Sequence, residues 1–96
     1  MLTEFEVRRT LESIQMSDAP PTDKARRLLR LDRSLRTQAQ ALVDAHARTQ
    51  RSTNRSASLQ LERMAASARM MRDEVRESAL SFLHSNPRYR LNIGLR

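Results

Sequence analysis

Residues 49–58 read Thr-Gln-Arg-Ser-Thr-Asn-Arg-Ser-Ala-Ser, a run without one large apolar side chain. Serine, threonine and asparagine bond to nearby backbone groups and favour turns and caps over helix interiors. On either side the apolar residues return with helical spacing. Before the run, Leu28, Leu31, Leu35, Gln38, Leu42 and Ala45 alternate steps of three and four. After it, Leu61, Met64, Ala68, Met71, Val75, Ser78 and Phe82 do the same. The two series are out of register: carrying the first onward from Leu42 leads through Thr49 and Ser56 to Arg63, not to Leu61. A turn near Ser52–Ser56 with two antiparallel helices accounts for this break.

The competing reading is one continuous helix over residues 22–85, since that span holds no glycine or proline. It would be roughly 95 Å long at 1.5 Å per residue. Folding the chain about residue 53 instead sets Leu42 near Met64, Leu35 near Met71 and Leu31 near Val75. It also brings Ala39, Ala41 and Ala45 opposite Ala65, Ala66 and Ala68, small residues that let two helices approach closely. The hairpin is therefore the favoured reading. Its seam is Leu28, Leu31, Leu35, Leu42, Leu61, Met64, Met71, Val75 and Phe82.

Outward from the hairpin, residues 1–17 hold a short amphipathic helix over 3–17. Thr3 followed by Glu6 is a capping box, and Val7, Leu11 and Ile14 share a face with Phe5 beside them. Asp18–Pro21 interrupts the helix, because Pro20 and Pro21 supply no amide donors. Thr22 is positioned to cap the next helix and Asp23 suits its positive end. At the other end Pro87 stops the helical pattern, after His84 in the last turn and Asn86 as a closing residue. From there Tyr89, Leu91, Ile93 and Leu95 alternate with Arg88, Arg90, Asn92 and Gly94, the period of a strand. The expected fold is all-α: a short N-terminal helix at 1–17, a proline linker at 18–21, a long coiled-coil-like antiparallel hairpin at 22–86, and one C-terminal β-strand at 87–96. A lone strand usually pairs with another molecule, so Tyr89, Leu91, Ile93 and Leu95 are the expected partner-docking residues, for a protein partner or copies of the chain; an edge strand lying back on the hairpin, or a disordered tail, is the plain alternative.

The 96 residues carry a net charge of +7, from 17 arginines and a single lysine, Lys24. Such a balance attracts acidic surfaces, whether nucleic acid, anionic lipid or acidic protein. Lys24–Arg36 is the densest segment, and Arg26, Arg30 and Arg33 form one stripe along it. Arg48, Arg51 and Arg55 cluster around the proposed turn, with no acid between Ala45 and Leu61. These six arginines are the expected contacts for phosphate or an acidic partner; a solvated outer face is the plain alternative. Three scattered aromatics supply no stacking platform, so any nucleic-acid contact is expected to be through the backbone.

Catalysis finds little support. His46 and His84 lie 38 positions apart and fall at different heights of the hairpin; no cysteine offers a thiolate. There is no glycine-rich turn for an oxyanion hole, so neither an enzyme, a metal nor a cofactor is expected. Met64, Met70 and Met71 read as core filler before they read as an adaptable surface. Met1–Thr10 carries Glu4 and Glu6 and no apolar run, and no stretch nears the roughly 18 apolar residues of a membrane span. A cytoplasmic protein is the expectation.

A short N-terminal helix, a central hairpin and a single C-terminal strand resemble the layout of the small terminase subunits of tailed phages. That resemblance implies that residues 22–85 form an oligomerisation hairpin and that Tyr89–Leu95 contributes to a barrel engaging a DNA-packaging motor. Met1–Ser17 is too short for the DNA-binding domain with which such subunits commonly begin. Two functions are expected: a non-enzymatic homo-oligomeric scaffold or adaptor, or a basic protein that binds phosphate backbone through the Lys24–Arg36 face.

Overall fold

In the computed structural model, which describes residues 1–49 and 55–91, Thr3 opens helix α1 (Glu4–Met16) by accepting a hydrogen bond from the Glu6 amide at 3.2 Å. The Glu6 carboxylate does not reach the backbone in return; the Thr3 hydroxyl donates to it at 3.3 Å. Val7, Leu11 and Ile14 are buried, as their spacing requires. Phe5 is not beside them. Two residues before Val7, it points some 200° around the helix at about 100° per residue and stays 67% exposed.

Helix α2 (Pro21–Thr49) begins one residue ahead of the expected Thr22 cap. The Pro20 carbonyl accepts from the amides of Asp23 at 3.0 Å and Lys24 at 3.2 Å, and Pro21 takes the first helical position, where an amide is not needed. Thr22 is thereby released for a tertiary contact. Helix α3 (Arg55–Ser85) already includes Arg55 and Ser56 of the expected turn, and the rest of that turn, 52–54, lies outside the described residues. The single long helix is excluded: α2 and α3 pack on one another along their length, and the molecule is 51 Å in its longest dimension. Their order is antiparallel. His46 near the end of α2 meets Glu62 near the start of α3 at 3.8 Å, while Thr22 meets Tyr89 just beyond α3 at 3.1 Å.

One core runs through the hairpin: Leu28, Leu31, Leu35 and Leu42 from α2 with Ala68, Met71, Val75 and Ala79 from α3. Two helices alone leave both flanks of such a seam open, and here each flank has its own cover. α1 lies along one, antiparallel to α2 and parallel to α3. Gln38, a polar residue at a seam position, holds its start by donating to the Leu2 carbonyl and accepting from the Leu2 amide, at 3.1 and 2.8 Å. Ser67 donates to Glu4, Arg8 to Glu74, and Gln15 to Ser78, in ascending order along α3.

The second cover is the tail. Asn86 closes α3 by donating both its amide and its side-chain nitrogen to the Phe82 carbonyl, at 2.9 and 3.0 Å. A turn follows in which the Tyr89 amide reaches the Asn86 carbonyl at 3.1 Å, with Pro87 at its favoured second position. The expected strand is not found among the described residues: 87–91 is this turn and irregular chain. The turn folds the chain back, so Tyr89 meets the Phe82 ring edge-on at 5.5 Å and Leu91 is buried in the hairpin core. Of the alternating residues, Tyr89 and Leu91 lie back on the chain's own hairpin as irregular chain. Ile93 and Leu95 lie outside the described residues.

Candidate functional site

The positions of Arg26, Arg30 and Arg33 follow from helix geometry. At about 100° per residue the three fall within roughly 60° of one another, on the side of α2 away from Leu28 and Leu35. All three are exposed, and none pairs with a carboxylate among the described residues. The sole acid between Lys24 and Val43 is Asp32, and it faces inward at 4% exposure, bound to Arg36 Nε at 2.9 Å. In the sequence Asp32 lies amid the arginines of this segment. The structure removes it from that face.

Arg27 turns toward α1. Together with Arg30, Ser34 and Leu31 of α2 and Arg9, Thr10, Ser13 and Ile14 of α1, it lines a groove between the two helices, with Leu2 at one end. No lining residue is acidic. Arg9 is held from outside: its guanidinium carbon lies 5.7 Å over the Phe5 ring, an exposed cation–π contact worth about 0.5–1 kcal/mol. Arg9 escaped the sequence reading because it sits 18 positions from Arg27, and only the docking of α1 brings the two together. Its one sequence signal is membership of the Arg8–Arg9 pair on an otherwise polar side of α1.

Arg8, next to Arg9 in the chain, faces α3. Glu74 Oε1 accepts from Arg8 Nε and pairs with its Nη2, both at 3.1 Å, and Glu4 lies 4.0 Å away. The hydrogen bond and charge of Glu74 raise the guanidinium above its ordinary pKa. A raised cation stabilises the fold at every pH below arginine's unfolded value and loses that effect only above it, so Arg8 gives no pH dependence near neutrality.

The remaining expected residues are dispersed. Arg48 and Arg55 are exposed at the free end of the hairpin; Arg51 lies outside the described residues. The seam residues are taken up within the chain: Leu28, Leu31, Leu35, Leu42, Met71 and Val75 are buried, and Leu61, Met64 and Phe82 are packed against them. Tyr89 and Leu91 are likewise occupied by their own hairpin. His46 points its Nε2 toward α3 without a hydrogen-bond partner, and His84 is exposed in the last turn of α3. Among the described residues no three His, Cys, Asp or Glu side chains gather where a metal could sit. A crevice at the base of the molecule is lined by Lys24, Ser78, Ser81 and Ser85, but Lys24 makes no hydrogen bond to any of these serines. No helix of the described residues is long and apolar enough to cross a membrane.

Comparison with protein-family models, with curated proteins and with solved structures finds no match to this chain.

Proposed function

We propose that the protein is a non-enzymatic helical scaffold or adaptor that self-associates through the free end of its hairpin. One observation supports this reading: no described residue of 43–49 or 55–67 is fully buried, although the apolar seam continues there. α1 begins at the level of Gln38 and Ser67 and runs toward the base, and the tail covers only the base. Above that level Leu61 and Met64 are half-buried, while Val43 and Leu59 are 60% and 55% exposed. A second copy of the hairpin end, laid alongside, supplies the missing layer and makes a four-helix contact.

The uncovered part of α2, the seven residues 43–49, is about 10 Å long and the helix pair about 20 Å wide. Two such faces bury roughly 400 Å², well under the roughly 1,200 Å² of a stable complex, so association is weak and concentration-dependent. The reading moves the docking surface from the tail to the hairpin end. From the resemblance to small terminase subunits it keeps only the use of a central hairpin for self-association.

Light scattering over a concentration series up to about 100 µM tests it, a range set by the small interface. Growth of an oligomer that Val43→Glu with Leu59→Glu abolishes, helicity being unchanged, is the expected result. A monomer throughout, or an oligomer indifferent to both substitutions, overturns the proposal.

A further inference from the structure

Arginines that find no carboxylate within a fold carry their full charge to a ligand. Arg9, Arg27 and Arg30 line one groove between α1 and α2, and Arg26 and Arg33 continue the row onto the outer face of α2. We infer that this groove and face bind the phosphate backbone of a nucleic acid.

The chemistry of the lining fits phosphate on three counts. Guanidinium groups present planar paired donors that match phosphate oxygens. Thr10, Ser13 and Ser34 add hydroxyls between the arginines, the side chains that most often complete a phosphate contact after arginine and lysine. Asp32, the carboxylate amid these arginines, is buried against Arg36, which leaves Asp23, exposed in the first turn of α2 and outside the groove lining, as the nearest acid on this helix. Arg9 is also steadied by the Phe5 ring before any ligand arrives.

The arrangement favours a polymer over a single ion or a lipid surface. From Arg26 to Arg33 the charges extend along about 10 Å of helix axis, with Arg9 beside them, so they meet several phosphates in succession. A helix that lies in a lipid interface carries large apolar side chains on the face it inserts, flanked by its cations. On α2 the neighbours of these arginines are Ser34 and Thr37, and the nearest large apolar residue, Leu29, is partly buried against the core. Binding is independent of nucleotide sequence, because the lining supplies charge and hydroxyls with no helix shaped to enter a groove and read base edges.

The test uses the full chain and a fluorescently labelled DNA duplex, followed by anisotropy between 50 and 200 mM salt. Five phosphate contacts predict a loss of affinity of about 500-fold over that range. Replacing Arg9, Arg27 and Arg30 together by glutamine is expected to reduce the slope of log affinity against log salt by about 2.7. Replacing Arg63, Arg69 and Arg76 on α3 removes the same net charge and is expected to leave most of the slope in place. Equal loss in both triple variants shows a net-charge effect and overturns the site, as does the absence of binding at 50 mM salt. Two further arms separate the sources of phosphate. Displacement of DNA by inorganic phosphate beyond that by chloride at equal ionic strength marks a free-ion site and overturns the assignment. So does tighter binding, lost in the first triple variant, to vesicles containing phosphatidylserine. Self-association through the hairpin end uses none of these arginines, so the two proposals stand or fall separately.

Discussion

The two ends of the hairpin are built from the same seam and differ in what covers it. At the base, α1 seals one flank and the Tyr89–Leu91 tail the other, and Leu35, Val75 and Ala79 lose all solvent contact. At the free end the heptad steps continue through Ala45, Leu61 and Met64, yet none of these is fully buried. Heptad spacing therefore fixes which side of a helix turns inward, while a third layer fixes how much water is excluded. Two paired helices are too narrow to do the second alone.

Removing a cover should give the largest effect. Deleting residues 1–17 strips Val7, Leu11 and Ile14 from the base, a loss of about 4–9 kcal/mol at 1.5–3 kcal/mol per side chain. That is comparable with the whole stability of a small domain, so the helical circular dichroism signal should collapse at 25 °C. A shortened chain that keeps its full helicity and cooperative melt would show that α1 is no structural layer. Next in size is Leu35→Ala at the base, expected to cost about 2–5 kcal/mol. Leu61→Ala at the half-covered end should cost about 1 kcal/mol or less, since less apolar area returns to water. Chemical denaturation of both variants measures the contrast, and equal losses would erase the distinction between the two ends.

A subtler effect is expected at Asp32. Arg36→Ala leaves its buried carboxylate without that partner, at a cost of about 1–3 kcal/mol. Asp32→Leu should be neutral or mildly stabilising, because the charge leaves along with the need to compensate it. Thermal melts of the two variants should move in different directions. The smallest effect belongs to Arg8→Ala, whose exposed ion pair with Glu74 is screened by solvent. Its small offset from the wild type's midpoint should be constant from pH 6 to 9, since the stabilisation from a raised arginine pKa is fully present there and is lost only above arginine's unfolded value.

Much of this comparison was legible in the sequence and some was not, for identifiable reasons. The register break across 49–58 separated α2 from α3, and the heptad steps named the inward residues, because both are local consequences of helical period. Gln38 looked like a flaw in the seam; its purpose appears only when Leu2, 36 positions away, brings a backbone amide and carbonyl to it. Tyr89 and Leu91 have a strand's spacing, but spacing cannot tell a neighbouring strand from a nearby groove. The basic face was visible as Arg26, Arg30 and Arg33. Its extension to Arg9 and the burial of Asp32 were hidden, because both depend on where α1 and α3 dock.

The covers also have a consequence for the order of folding. The free end joins residues close in the chain, such as His46 and Glu62, and α1 meets α2 across the short 17–20 link, whereas the contacts of α1 with α3 and of the tail with α2 span 63 to 67 positions. Closing a short loop costs less entropy than closing a long one, and chains pay that cost before distant contacts can form. The hairpin should then zip from its least protected end, with the contacts of α1 on α3 and of the tail on α2 arriving last. Substitutions in the hairpin near Leu61 would slow refolding, while those at Val7 or Leu91 would chiefly hasten unfolding, a pattern that φ-values can establish or refute. The part of this molecule that forms first would be the part that is least stable once it has formed.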